Sequence, residues 1–269
     1  MSNPPIIFNR RLVKMHRNRA AKNFEANDFL YKEVVDRLLD RLNDMDRKFD
    51  RVLDIGCHTG YFGQNIKGDN KFGTLIQMDL SQNMAVKAGG NSVVADEENL
   101  PFAPNSFDLI VSNLVLHWVN DLPGTFMQIR KMLKPDGVFI ANIFGENNLE
   151  ELRIALIKAE EANNKNIAAR ISPSIDIKTL GGLLQRTGFD LPVSDCETIA
   201  VEYSSAIDLL KDIKNMGQSN ALARGCNYLS KDVIEDIDRH YCNKSDKDVG
   251  KIIANFDILT ITGLASNDK

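Results

Sequence analysis

The chain has 269 residues, 43% of them hydrophobic and 26% charged, with 33 Lys and Arg against 37 Asp and Glu and a net charge of −4. That length suits one large domain, or a domain with an inserted cap, and the apolar content can fill a core. The acidic balance argues against non-specific nucleic-acid binding, which needs a basic footprint, and no apolar run reaches the roughly 18 residues of a membrane span.

Residues 1–24 contain Arg10, Arg11, Lys14, Arg17, Arg19 and Lys22 and not one acid. Organelle transit peptides share that bias but are serine-rich, whereas only Ser2 occurs here. With no signal-peptide pattern either, a cytoplasmic location is expected in preference to a mitochondrial matrix one. Phe8, Leu12 and Met15 stand at i, i+4 and i+7, which predicts a helix with one apolar stripe. The segment reads either as a surface helix packed on the domain or as a basic lid over an acidic mouth, with Arg17, Arg19 and Phe24 as the lid residues. Tyr31 to Leu42 reads as a second amphipathic helix, its apolar face made of Val34, Val35, Leu38, Leu39 and Leu42.

Arg51 to Gly60 (RVLDIGCHTG) is an apolar strand running into a turn with a glycine at each end. Glycine reaches positive φ at little cost and lets a ligand approach the backbone. A dinucleotide site wants Gly-x-Gly-x-x-Gly, and from Gly56 the second and third places are His58 and Tyr61. Asp54 beside the loop would repel a pyrophosphate and attract a cation. An adenosyl compound without phosphate and positive at its reactive end fits, and S-adenosylmethionine (SAM) is such a compound.

Tyr61 to Ile66 starts a helix whose N-terminus points donors at the loop. Thr74 to Asp79 is a second strand ending in an acid 19 positions after Gly60, near the offset at which a carboxylate accepts ribose hydroxyls. Ser81 is a helix N-cap, and the following helix carries Met84, a residue able to pack on adenine or fill the core. A third strand, Ser92 to Asp96, is followed by Glu97, and an acid here can accept a hydrogen bond from the adenine amino group. Phe107 to Asn113 is the fourth strand. His117 and Trp118 lie on the loop after it, where open α/β sheets bind ligands. Asp121 and Pro123 start the next helix, and Asp136-Gly137 turns into the strand Val138 to Phe144.

The αβ alternation from residue 50 to 144 implies a doubly wound, mostly parallel sheet with helices on both faces. Beyond it come a helix over Glu146 to Ala162, a helix over Thr179 to Phe189 with Gly188 past its end, a strand Thr198 to Tyr203, helices broken at Gly217 and Gly225, and a last strand Ile258 to Gly263. The expected organisation is a helical lid over 1–45, a Rossmann-like core over 46–203, a helical cap over 204–245, and the last core strand with its tail over 246–269. Cys57, Cys196, Cys226 and Cys242 form no C-x-x-C pair and the four histidines form no ligand motif, so reduced thiols and no metal are expected.

In five segments taken in order, the chain resembles the class I SAM-dependent methyltransferases: Asp54 to Gly60, Asp79, Ala95-Asp96, Phe107 to Asn113 and Leu133 to Ile140. The resemblance implies SAM as cofactor, with Asp54 on its ammonium, Gly56 and Gly60 making room for its methionine part, Asp79 on the ribose, and Asp96 with Glu97 at the adenine edge. Met84 and His117 would lie beside it, and Asn113 would offer backbone contacts near the sulfonium. No residue stands out as a catalytic base. His58 departs from the family's glycine, although histidine tolerates positive φ better than most. Outside the core, Leu116 to Gly124, Glu151 to Arg153, Ile171 to Pro173, Leu180 to Phe189 and Met216 to Asn220 resemble the respiratory complex I assembly factors reported to hydroxylate an arginine. Arg19 to Ala21 is more loosely similar to the malonyl-carrier-protein methyltransferases. Methyl transfer is the expected activity, with arginine hydroxylation, an assembly role and carrier-protein O-methylation as alternatives. The implied partner is a protein or carrier-bound substrate, including a complex I subunit.

Overall fold

The structure, a computed structural model, describes residues 5–163, 165, 167–224, 229–241 and 251–265. Gly225, Cys226 and Cys242 lie outside them. Seven strands form one sheet: β1 (Phe49–Ile55), β2 (Phe72–Asp79), β3 (Ser92–Val94), β4 (Phe107–Asn113), β5 (Leu133–Phe144), β6 (Phe189–Tyr203) and β7 (Ile252–Ala265). Their order is β3-β2-β1-β4-β5-β7-β6, and β7 runs antiparallel to both its neighbours while the other pairs are parallel. The Rossmann-like doubly wound fold class expected from the sequence is the one observed.

Chain order reverses between β1 and β4, so the crossover helices leave opposite faces there and open a crevice above the strand ends. Helices α2 (Phe29–Asn43) and α3 (Tyr61–Ile66) cover one face, burying Val35, Leu38, Leu42, Phe62 and Ile66 on Val52, Val111 and Ile140. On the other face α5 (Leu122–Met132) and α7 (Ile177–Arg186) bury Phe126, Ile129, Leu180 and Leu184 on Leu53, Phe139 and Ile261. Central strands covered on both sides read as near-continuous apolar runs. Helix α4 (Gln82–Ala88) is capped by the Ser81 side chain, which accepts from the Met84 N–H at 3.2 Å.

A third cluster sits beyond the strand ends. There α6 (Glu150–Ala162), α8 (Ala206–Asn215) and α9 (Lys231–His240) bury Leu152, Leu156, Leu209, Val233 and Ile237 against Phe256 and Ile258 of β7. Helix α6 therefore shares one core with the helices between β6 and β7.

The N-terminal helix α1 (Arg10–Ala20) corrects the sequence reading of its face. It buries Val13, His16, Arg17 and Ala20, whereas Met15 is 50% exposed and Phe8 precedes the helix in a bridge to Leu222. Apolar spacing misled because Arg17 and His16 stand in the buried face between Val13 and Ala20. Strands β6 and β7 are longer than their apolar cores suggested, since they pair with each other from Phe189–Ala265 to Tyr203–Ile252. Strand β5 begins at Leu133, with Asp136 at φ +61° inside it.

The cap's dependence on this shared core is testable. Leu209→Ala, removing a fully buried side chain, should cost about 2–4 kcal/mol in urea unfolding with an unchanged m-value.

Candidate functional site

The carboxyl ends of β1, β2 and β4 end level with one another, Ile55 pairing with Met78 on one side and Ser112 on the other. Above them the chain turns at Gly56 (φ +76°), His58 (φ +50°) and Gly60 (φ +84°), the last standing at the N-terminus of α3. A Cβ on Gly56 would lie 2.3 Å from the Val115 side chain, so only glycine fits. Backbone N–H groups of Gly56 and Cys57 both donate to the Met78 carbonyl, which ties the loop to β2.

Asp54, Asp79 and Glu97 are all buried here. Asp79 accepts from the His58 N–H at 3.2 Å and the Ser81 N–H at 2.7 Å. The charged partners come from α1. Arg17 donates to Glu97 at 2.5 Å and stands 3.8 Å from Asp79, while Arg10 binds Asp96 at 2.6 Å and also reaches Glu97. Burial opposes ionisation of Glu97, yet Arg17 and Arg10 hold it down to about 2. Burial pushes Asp79 up to about 6, with Arg17 pulling against it. Asp54 is pushed up to about 8 by burial and by the neighbouring Asp79 charge, and its carboxylate has no hydrogen-bond or ion-pair partner among the described residues.

His58 fills the place of a family glycine with an aromatic wall. Its ring stacks on Phe24 at 5.1 Å and meets Tyr31 edge-on at 4.5 Å, and Nε2–H donates to the Asn113 carbonyl at 3.1 Å. That bond leaves Nδ1 as a lone pair, buried and unpartnered. Burial holds the ring neutral, its value lowered to about 3. Between these rings, Asp54, Gly56 and Asn113 a cavity of only about 20 Å³ remains, room for about one water.

Gln218, on the turn after α8, joins the site to the cap. Its Oε1 accepts from Trp118 Nε1–H at 2.7 Å and from His117 Nε2 at 3.0 Å, while its amide donates to the Tyr31 hydroxyl at 2.5 Å. An indole only donates, so the amide orientation is fixed and His117 carries its proton on Nε2. His117 Nδ1 is then a second buried, unpartnered lone pair. Beyond Gln218 opens a cavity of about 640 Å³, lined by His117, Trp118, Phe144 and residues of α1, α6 and α8.

Of the expected residues, Asp54, Gly56 and Asn113 line the small crevice with His58, whereas His117 lines the large cavity, Gly60 stands at the N-terminus of α3, and Asp79 and Glu97 are buried against Arg17. Asp96 pairs with Arg10, its side chain 33% exposed. Met84 is fully buried in the cluster with Ala20, Phe24 and Leu114. Of the lid residues, Arg17 and Phe24 are buried, whereas Arg19 turns outward to Ser219. Arg10, expected among the basic lid residues, pairs with Asp96. Sequence reasoning did not single out Tyr31 or Gln218, because the first was read only as the start of a helix and a lone glutamine carries no pattern.

The residues present fit a ligand with a cationic end and donor groups. Asp54 is a buried carboxylate lacking a counter-charge, and His58 Nδ1, Asn113 Oδ1 and His117 Nδ1 are buried acceptors with nothing to accept from. Asp54 holds a proton in the fold that the unfolded chain has released, so its contribution is present below pH ~4 and lost as pH rises through about 8. Asp54→Asn should therefore be more stable than the parent by a margin growing about 1.4 kcal/mol per pH unit at most. Thermal unfolding should show that margin rising from pH 5 to 8 and levelling above it. A constant margin would mean Asp54 already has a partner.

Known proteins resemble this chain over most of its length. A family model described as "Methyltransferase domain" matches residues 53–141. The chain is 42% identical to human "Arginine-hydroxylase NDUFAF5, mitochondrial" over 80% of its own length and 64% of that protein's. For the rat protein of the same name the values are 37%, 97% and 78%. It is 30% identical to a "Malonyl-[acyl-carrier protein] O-methyltransferase" of Gallionella capsiferriformans, over 94% and 90% of the two chains. Among solved structures, YcgJ of Bacillus subtilis superposes with a TM-score of 0.60 at 17% identity, covering 87% of this chain and 99% of that one. The SAM complex of phosphoethanolamine N-methyltransferase 2 from Haemonchus contortus gives 0.51 at 17% identity, covering 87% and 53%. The fold is thus one that holds SAM or its demethylated product, and the chain belongs to the class I SAM-dependent methyltransferase family as a relative of NDUFAF5.

Proposed function

We propose that this protein binds SAM at the carboxyl ends of β1, β2 and β4 and directs its methyl group to an acceptor lodged in the cavity beyond His117 and Gln218. The observation that carries the reading is Asp54, a carboxylate buried at the switch point of the sheet, without a cation of its own and beside a turn that only glycine can make. When bound, SAM supplies an electrophilic methyl group on a sulfonium.

In this reading Asp54 takes the ammonium group, the Gly56 to Gly60 turn leaves room for the methionine part, and Asp79 accepts the ribose hydroxyls. Glu97 and Asp96 border the adenine, Met84 supports it from the core, and Asn113 Oδ1 gains a partner near the sulfonium. His117 Nδ1 accepts a hydrogen bond from the acceptor's O–H or N–H, which aligns the nucleophile; its value lowered to about 3 by burial makes it a weak base. Positioning two reactants in line supplies much of the rate for such a transfer.

The reading requires movement of α1. A cavity of about 20 Å³ cannot take a methionine moiety, and Arg17 bridges the two acids that the nucleoside needs. Helix α1 with Arg17 is then a lid that lifts to admit the cofactor, the role expected of Arg17, Arg19 and Phe24 from the sequence.

Two measurements test the cofactor site. SAM affinity should fall about tenfold per pH unit as pH drops below about 8, because a protonated Asp54 no longer attracts the ammonium. Calorimetry across pH 6–9 reads this, and a flat profile would remove Asp54 from the site. At fixed pH, Asp79→Ala should weaken SAM by about 1.5–3 kcal/mol; unchanged affinity would place the ribose elsewhere. The activity itself is tested by mass spectrometry after incubation with SAM and either malonyl-carrier protein or an arginine-bearing complex I subunit. Gain of one methyl group on either supports methyl transfer, and gain of one oxygen on the subunit would overturn it in favour of the hydroxylation in the name of the NDUFAF5 relatives.

A further inference from the structure

The turn above β1 carries a side chain where ligand approach calls for none. A glycine at the second place of such a turn lets a ligand come against the backbone. In this chain that place, two residues after Gly56, is His58. The backbone there still has φ +50°, so the turn keeps its shape while the imidazole takes up the room.

The ring is held from three sides. It lies parallel to Phe24 at 5.1 Å, meets Tyr31 edge-on at 4.5 Å, and donates from Nε2–H to the Asn113 carbonyl at 3.1 Å. His58 is 6% exposed, and only about 20 Å³ is left among these groups, Asp54 and Gly56. Whatever reaches the Asp54 carboxylate must therefore displace backbone or this ring, and the ring is the part that turns about single bonds. The Nε2–H also occupies the Asn113 carbonyl, an acceptor on the same crevice that a ligand's N–H could use.

As core filling, the histidine is a poor choice. Its Nδ1 is buried without a partner, a cost that the outward position relieves. One of its three supports is also removable. Phe24 stands in the turn Phe24–Ala26 that follows α1, so a lifted α1 takes the stacking ring with it.

We propose that His58 is a plug, whose ring fills the crevice in the ligand-free protein and swings out before the cofactor's amino-acid end reaches Asp54. The inference rests on the SAM reading for the identity of that ligand. Binding is weakened by the fraction of molecules whose ring is in, and removing the ring restores the intrinsic affinity.

Calorimetry of the full chain with SAM compares the parent with His58→Gly and His58→Asn, two residues that accept positive φ. Methylthioadenosine, which lacks the amino-acid end, is the control. SAM should bind at least tenfold more tightly to His58→Gly and by a smaller factor to His58→Asn, while methylthioadenosine changes less than twofold. Thermal unfolding checks that both variants fold, and either one alone decides the sign. In the parent carrying nitrogen-labelled histidine, saturation with SAM should shift the His58 ring signals and speed exchange of the Nε2 proton. Unchanged or weaker SAM binding in the variants, or His58 signals untouched by bound SAM, would overturn the plug and leave the cofactor reading standing. SAM binding to neither parent nor variants would remove both.

Discussion

Burial of three carboxylates above the ends of the central strands, with counter-charge for only part of them, is the constraint on which this structure depends. Glu97 lies between two arginines and stays ionised, held down to about 2. Asp79 has Arg17 at 3.8 Å and two backbone donors, and is pushed up to about 6. Asp54, beyond the reach of α1, is pushed up to about 8. The gradient follows the placement of Arg10 and Arg17, and it leaves the strongest unmet demand for positive charge at the innermost acid. Burying an unpaired charge is costly enough that proteins retain one mainly where a ligand or a proton relieves it.

The same ion pairs hold α1 against the domain, and α1 touches both halves of the site. Its Asn18 side chain accepts from the Ser81 hydroxyl at the head of α4, and its His16 and Arg19 meet Ser219 at the end of the cap. Gln218, one residue earlier, links Tyr31, His117 and Trp118. The contacts of α1 are therefore linked to the wall between the small crevice and the large cavity. The link runs through hydrogen bonds made by two adjacent residues on one turn, placed there by Gly217 at φ +79°.

Electrostatics divides the two spaces. The crevice is rich in acid and suits a cationic end, while the described lining of the larger cavity holds no acid and several bases.

Much of this was legible in the chain. Apolar strands ending in Asp54 and Asp79, the glycines at 56 and 60 and the caps Ser81 and Asp121 are local signals, because strand burial, positive φ and helix capping are set by a few adjacent residues. They determined the sheet, its switch point and the acids of the crevice. Periodicity misplaced the face of α1, whose buried row is Val13, Arg17 and Ala20 with His16 beside it, and it shortened β6 and β7, whose outer residues are held by pairing with each other. Only the tertiary structure decided that Glu97 rather than Asp96 is the buried partner of Arg17, that Tyr31 and Gln218 belong to the site, and that acids are missing from the described lining of the large cavity. Those outcomes depend on side chains 80 to 190 positions apart meeting in space, and a pairing over such distances leaves no pattern in the residues between.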